Sequence, residues 1–217
     1  DYDPRSGKVL LFFYGRGGSC EHHNLVESHA SDHFREKLLK EGFLLIVPDV
    51  GGNSWGNSNG SEIALATLKC LEKMNFYIPE KIPVMGVSMG GLNALMFAIR
   101  APERIARVVD VFGITDLADF YKITDARYRG LIREIYATKD SMMSISPLKQ
   151  AEQLANFPLM IIHGDEDRIV DISFSRRLCR ELGDSRKYIY KECPGYGHTN
   201  DIFSDTGDFI IEFLKMR

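Results

Sequence analysis

Three kinds of side chain in this sequence could together perform nucleophilic catalysis: a serine, a histidine and a carboxylate. Ser88 stands between glycines in Gly86-Val87-Ser88-Met89-Gly90, His198 lies near the end of the chain, and Asp165 and Asp167 lie between them. A serine hydroxyl is a weak nucleophile at neutral pH, and a histidine can take its proton and return it to the leaving group. A carboxylate behind the histidine fixes the imidazole tautomer. The set predicts acyl transfer through a covalent serine intermediate.

The residues around Ser88 predict a strand, a sharp turn and a helix. An apolar run ends at Val87, and apolar residues at helical spacing follow from Met89. Gly86 and Gly90 leave room for a turn that exposes the hydroxyl.

The developing oxyanion in such a reaction needs two preorganised donors. The N–H group of Met89, directly after the serine, is the first candidate. The N–H group of Arg16, in the glycine-rich segment 15–18, is the second.

Six short apolar runs predict the strands that position these residues. Helical patterns lie between them, which favours crossover connections, a parallel sheet and one α/β domain over residues 1–217. The carboxyl ends of parallel strands share one edge, so the candidate residues should meet there. The predicted strands cover residues 9–14, 43–47, 84–87, 108–112, 157–163 and 188–191.

A helix is predicted between the second and third of these strands, from about residue 61 to 75. Ser61 is its predicted N-cap. Ile63, Cys70 and Met74 are among the residues expected to face the sheet.

The chain order serine, aspartate, histidine resembles that of the α/β-hydrolases. The resemblance covers nearly the whole chain from Val9 onward and rests on Gly86–Gly90, on the segment from His163 to Val170, and on Gly197-His198. It implies the α/β-hydrolase fold and carries the role of the acid over to Asp167 rather than Asp165.

Within that family, the chain is most similar to the esterase and prolyl-oligopeptidase-like branch. The similar segments are Tyr14-Gly15-Arg16-Gly17-Gly18 and the glycine-rich loop that contains Trp55. Arg16 stands where prolyl oligopeptidases carry an oxyanion tyrosine. This departure favours an esterase over a peptidase.

Residues 113–145 form the variable interval, where such folds place a small helical cap over the nucleophile. Its aromatic residues include Phe120 and Tyr136. Together with Trp55, they are the candidate substrate-binding residues, forming an apolar wall. Trp55 could equally pack its loop onto the sheet, and core packing accounts for part of the cap's apolar residues.

Composition restricts the class of partner. The net charge of −3 gives no general attraction to nucleic acid, and no apolar run is long enough to span a membrane. Four scattered cysteines without a Cys-x-x-Cys pair are typical of a reducing compartment, so a cytoplasmic location is expected.

No metal or organic cofactor is expected. His29 and His33 have the i, i+4 spacing of a metal site, but no third ligand is evident and a solvated helix face is favoured. His163 is expected to hold backbone groups rather than to act as the base.

The predicted function is a serine hydrolase that cleaves carboxylic esters of small or apolar acyl groups. A small serine peptidase or acyl-peptide hydrolase is the first alternative. A catalytically silent hydrolase fold used for binding is the second. The expected partner is a small-molecule ester, and the oligomeric state stays open.

Overall fold

The computed structural model describes residues 8–183 and 187–216. In this part of the chain, six parallel strands form one sheet in the order β2-β1-β3-β4-β5-β6. The strands are β1 (Val9–Phe13), β2 (Leu44–Ile46), β3 (Ile82–Val87), β4 (Ile105–Val111), β5 (Leu159–Gly164) and β6 (Tyr188–Cys193). All six lie at the positions that the apolar runs predict.

Helices cover both faces of the sheet, which explains why its central strands are almost continuously apolar. The helices are α1 (His29–Lys40), α2 (Ser58–Lys73), α3 (Met89–Arg100), α4 (Leu117–Ile123), α5 (Ala126–Ile135), α6 (Lys139–Met143), α7 (Ala151–Leu154), α8 (Ser173–Leu182) and α9 (Phe203–Lys215). Short 3-10 helices occupy Asn24–Val26, Pro102–Arg104, Leu148–Gln150 and Asn200–Ile202.

The start and the buried face of α2 differ from the prediction. The helix begins one turn earlier, at Ser58, because the Asn57 side chain accepts a hydrogen bond from Gly60 N–H and caps it. Ala64 and Leu68 face the core, whereas Cys70 is exposed and Met74 is 61% exposed. Apolar residues lie on two adjacent stripes of this helix, so periodicity alone does not select the buried one.

The predicted cap interval contains α4, α5 and α6, between β4 and the return of the chain to the sheet. Asp116 joins the two ends of this excursion, because its side chain caps α4 through Asp119 N–H and accepts a hydrogen bond from Ser146 Oγ across 2.7 Å. No helix in the described residues is both long and apolar enough to cross a membrane.

Candidate active site

Ser88 occupies the sharp turn between β3 and α3. Its backbone has φ 58° and ψ −120°, a conformation that non-glycine residues rarely adopt. The turn requires glycine on both sides: a Cβ on Gly86 would lie 1.9 Å from the Gly90 carbonyl oxygen, and one on Gly90 would lie 2.0 Å from that of Phe13. Tight backbone packing therefore fixes the hydroxyl at the carboxyl edge of the sheet.

His198 and Asp167 lie in line with Ser88. His198 Nε2 is 2.8 Å from Ser88 Oγ, and His198 Nδ1 is 2.6 Å from Asp167 Oδ2. The two residues lie in the loops that follow β6 and β5, as the topology predicts. The Phe112 ring packs against the His198 ring, with 4.5 Å between the ring centroids.

The Asp167 carboxylate is buried and held by several donors. Its Oδ1 accepts hydrogen bonds from Ile169 N–H (2.8 Å) and Val170 N–H (3.0 Å). Burial by itself raises the pKa of this carboxyl, but hydrogen bonds from His163 and His198 outweigh it and hold the pKa well below its usual range. Asp167 is therefore an anion that can orient an imidazole and stabilise its charged form.

His163 is fully buried beneath Asp167. Its Nε2 is 2.8 Å from the Val170 carbonyl oxygen, and its Nδ1 is 2.7 Å from Ser175 Oγ. A carbonyl can only accept, so Nε2 carries a proton. His163 therefore joins β5, the acid loop and α8, and it lies away from Ser88.

Asp165 differs from Asp167 in its surroundings. It is exposed, and its Oδ1 accepts a hydrogen bond from Gly195 N–H across 2.7 Å. Asp165 thus fastens the loop after β6, three residues before His198. The structure brings Asp167 and not Asp165 to the histidine.

One candidate oxyanion donor begins helix α3, and the other lies in the loop after β1 and lines the Ser88 pocket. Met89 is the first residue of α3, where N–H groups have no partner within the helix. The N–H groups on either side of Arg16 are fixed by asparagine side chains: Gly15 N–H donates to Asn24 Oδ1 (2.6 Å), and Gly17 N–H donates to Asn53 Oδ1 (2.9 Å). No hydrogen bond from Arg16 N–H forms within the described residues.

The pocket at Ser88 is small and polar. Its volume is about 180 Å³, and a second cavity of about 290 Å³ shares Tyr128 and Ile169 with it. The first pocket is lined by Gly15, Arg16, Asn24, Glu27, Ser88, Phe112, Tyr128, Ile169, His198 and Asn200. Sequence reasoning did not single out Asn24, Glu27 or Asn200, which belong to no recognisable motif.

The predicted substrate wall of Trp55, Phe120 and Tyr136 is instead part of the core. Trp55 is 1% exposed, Phe120 is 0% exposed and Tyr136 is 7% exposed, and the Tyr136 hydroxyl donates to the Trp55 carbonyl. Trp55 and Phe120 stack with 6.1 Å between centroids. None of the three lines the Ser88 pocket, because the cap packs its aromatic residues inward and leaves only Tyr128 at the site.

The other histidines lie away from this chemistry. His29 and His33 are exposed on α1, and the described residues contain no cluster of three or more histidine, cysteine, aspartate or glutamate side chains that could hold a metal ion. His23 is buried and caps the 3-10 helix Asn24–Val26, and burial lowers its pKa.

One family of known proteins matches most of this chain. The model of the prolyl oligopeptidase family matches residues 31–205. The uncharacterized peptidase YtmA of Bacillus subtilis (strain 168) is 25% identical over 161 residues, which cover 70% of this chain and 62% of YtmA.

Solved structures show the same fold. A puromycin-hydrolyzing peptidase of Mycobacterium tuberculosis superposes with a TM-score of 0.79 and 19% identity, covering 96% of this chain but 34% of its own. A monoacylglycerol lipase of Paleococcus ferrophilus superposes with a TM-score of 0.67 and 18% identity, covering 95% of this chain and 93% of its own. The chain thus spans less than two thirds of YtmA and about a third of the M. tuberculosis peptidase.

Proposed function

The chain belongs to the prolyl oligopeptidase family and is a serine hydrolase with the α/β-hydrolase fold, and on this premise we propose that it cleaves carboxylic esters of small acyl groups. The observation that carries the proposal is the continuous line of hydrogen-bond distances from Ser88 Oγ through His198 to Asp167 Oδ2. Such a line joins a nucleophile, a base and an orienting anion.

In the proposed reaction, Ser88 Oγ attacks the ester carbonyl while His198 Nε2 takes its proton. Asp167 stabilises the resulting imidazolium, and the N–H groups of Met89 and Arg16 stabilise the oxyanion. The alcohol leaves with the proton from His198, and an acyl-serine remains. Water, activated by the same histidine, releases the acid in a second step.

Two observations support an ester rather than a peptide substrate. Arg16, and not a tyrosine, stands in the glycine-rich segment 15–18. The hydroxyl of the nearby Tyr14 donates to Asp49 Oδ1 and accepts from Val50 N–H and Gly52 N–H. The Tyr14 hydroxyl is therefore engaged in holding the loop after β2. An oxyanion site without a hydroxyl donor favours substrates with good leaving groups, because amides depend most on that stabilisation.

The size of the pocket supports a short acyl group. About 180 Å³ beside Ser88 suits a two- to four-carbon chain better than a long one. The burial of Trp55, Phe120 and Tyr136 removes the support for a large apolar group at this position.

The decisive comparison uses p-nitrophenyl butyrate and butyryl p-nitroanilide, which share an acyl group. Each kcat/KM is divided by the rate of spontaneous hydrolysis of that substrate. The proposal predicts that the resulting value is at least 100-fold higher for the ester than for the anilide. A normalised ester-to-anilide ratio near one, with efficient anilide cleavage, would favour the second candidate function, a peptidase. Membership of the prolyl oligopeptidase family supports that candidate.

A further inference from the structure

Glu27 places a carboxylate at the rim of the Ser88 pocket. Its Oε2 accepts hydrogen bonds from Asn200 Nδ2 (2.8 Å) and Asn24 Nδ2 (3.4 Å). The two amides also bond to each other, and Asn24 Oδ1 accepts from Gly15 N–H. Glu27 is therefore built into the site by the loop beside Arg16 and by the loop that follows His198.

No cation neutralises this carboxylate within the structure. Among residues 8–183 and 187–216, no lysine, arginine or histidine nitrogen lies within 4.0 Å of it. Arg16 lines the same pocket, but its guanidinium lies over the Tyr128 ring, 5.0 Å from the centroid. Within the described residues, Glu27 bonds to neutral amides and forms no ion pair.

A fixed carboxylate that has no ion-pair partner and lies beside a nucleophile attracts cationic groups and repels anionic ones. We infer that the substrate carries an ammonium group, which Glu27 binds beside Ser88. This inference rests on the proposed ester hydrolysis and names the substrate class of the same site. The ammonium displaces water from the Glu27 carboxylate and supplies the positive charge that no ion pair within the described residues gives it.

The effect on specificity should be moderate because Glu27 is exposed. Exposed ion pairs are weakened by solvent, and partial exclusion of water by a bound substrate strengthens them. An ammonium-bearing ester should therefore have a kcat/KM about tenfold above that of its neutral analogue, mainly through a lower KM.

Two matched pairs of esters test this, since the ammonium could lie on either side of the ester bond. Alanine benzyl ester carries an ammonium on its acyl group, and benzyl propionate is its neutral analogue. Propionylcholine carries an ammonium on its alcohol, and 3,3-dimethylbutyl propionate is its neutral analogue. At pH 6.5, with each kcat/KM divided by the rate of spontaneous hydrolysis of that ester, at least one pair should show about tenfold preference for the cation, and 0.5 M NaCl should reduce it. Glu27→Gln should bring the preference close to one. The control Glu21→Gln, an exposed residue of the same loop outside the pocket, should retain it.

Binding separates failure of this inference from failure of the proposed function. With Ser88→Ala protein, NMR titration should show tighter binding of L-alaninamide or choline than of their neutral analogues, and Glu27→Gln should abolish the difference. Hydrolysis of both pairs without cation preference, or a preference that survives Glu27→Gln, would overturn the inference and leave ester hydrolysis standing. Cation binding at Glu27 without hydrolysis of any ester would overturn the proposed function alone. If the protein neither bound the cations nor hydrolysed any ester, the proposed function and the inference would both be overturned.

Discussion

His198 Nε2 lies 2.8 Å from Ser88 Oγ, although 110 residues separate the two in the sequence. Ser88 is fixed by the backbone of a tight turn, whereas His198 lies in the loop between β6 and the 3-10 helix Asn200–Ile202. The imidazole is held by Asp167 on one side and by the Phe112 ring on its face. Its position, and hence its ability to take the serine proton, depends on these two contacts.

Asp167→Asn should lower kcat about 10⁴-fold for a neutral ester, because an amide favours the wrong imidazole tautomer and cannot stabilise the imidazolium. Asp165→Asn is the matched control two residues away. Its hydrogen bond to Gly195 N–H can be kept by the amide oxygen, so kcat should change less than fivefold. Steady-state rates of the two variants decide the assignment, and a larger loss in Asp165→Asn would assign the acid to that residue.

Gly90→Ala should prevent the nucleophile turn from forming. The new Cβ would lie 2.0 Å from the Phe13 carbonyl oxygen, a contact that only backbone movement can relieve. We expect a loss of more than about 3 kcal/mol in the free energy of unfolding. Gly130→Ala, in α5, has nothing within 4 Å of its Cβ and should be neutral or stabilising by about 1 kcal/mol. Urea titration measures both, and equal stability of the two variants would contradict the packing described for the turn.

Asp110 should make the fold less stable as the pH rises. The side chain is fully buried in β4, and no side-chain donor in the described residues bonds to its oxygens. Burial raises its pKa to about 7 from 3.8, although His163 and the Gly113 amide act in the opposite direction. The folded state therefore retains a proton that the unfolded chain releases, and this contribution to stability is lost as the pH rises from about 4 to about 7.

Asp110→Asn is uncharged at every pH and should remove this dependence. A shift of about three pKa units corresponds to about 4 kcal/mol. The free energy of unfolding of the variant, minus that of the natural chain, should therefore increase by up to that amount between pH 4 and pH 8. Unfolding curves at both values provide the measurement. A difference between the two proteins that is independent of pH would mean that Asp110 is ionised in the fold.

Local patterns predict the sheet and the meeting of Ser88, Asp167 and His198, because each follows a predicted strand and the strands are parallel. The resemblance is needed to choose between Asp165 and Asp167, since both follow the same strand. The aromatic residues of the cap illustrate what local patterns miss. An aromatic residue such as Phe120 or Tyr136 suits a buried core as well as a substrate wall, and only tertiary packing decides between the two.

Local sequence patterns likewise do not predict the polar residues that line the pocket. Asn24, Glu27 and Asn200 come from two loops that lie far apart in the chain and touch only in the folded protein. None of them belongs to a motif, and single polar residues in loops are most often solvated. Their joint function in the site depends on contacts that no local signal encodes.

Labelling with a fluorophosphonate probe tests the central claim most directly, because only an activated serine attacks phosphorus rapidly at neutral pH. Mass spectrometry of the labelled protein should find one adduct, on Ser88. Ser88→Ala should abolish labelling, His198→Ala should slow it at least 100-fold, and Ser144→Ala, which changes an exposed serine outside the site, should leave it unchanged. An adduct that forms on another serine, or at the same rate in Ser88→Ala, would contradict the assignment of Ser88 as the nucleophile.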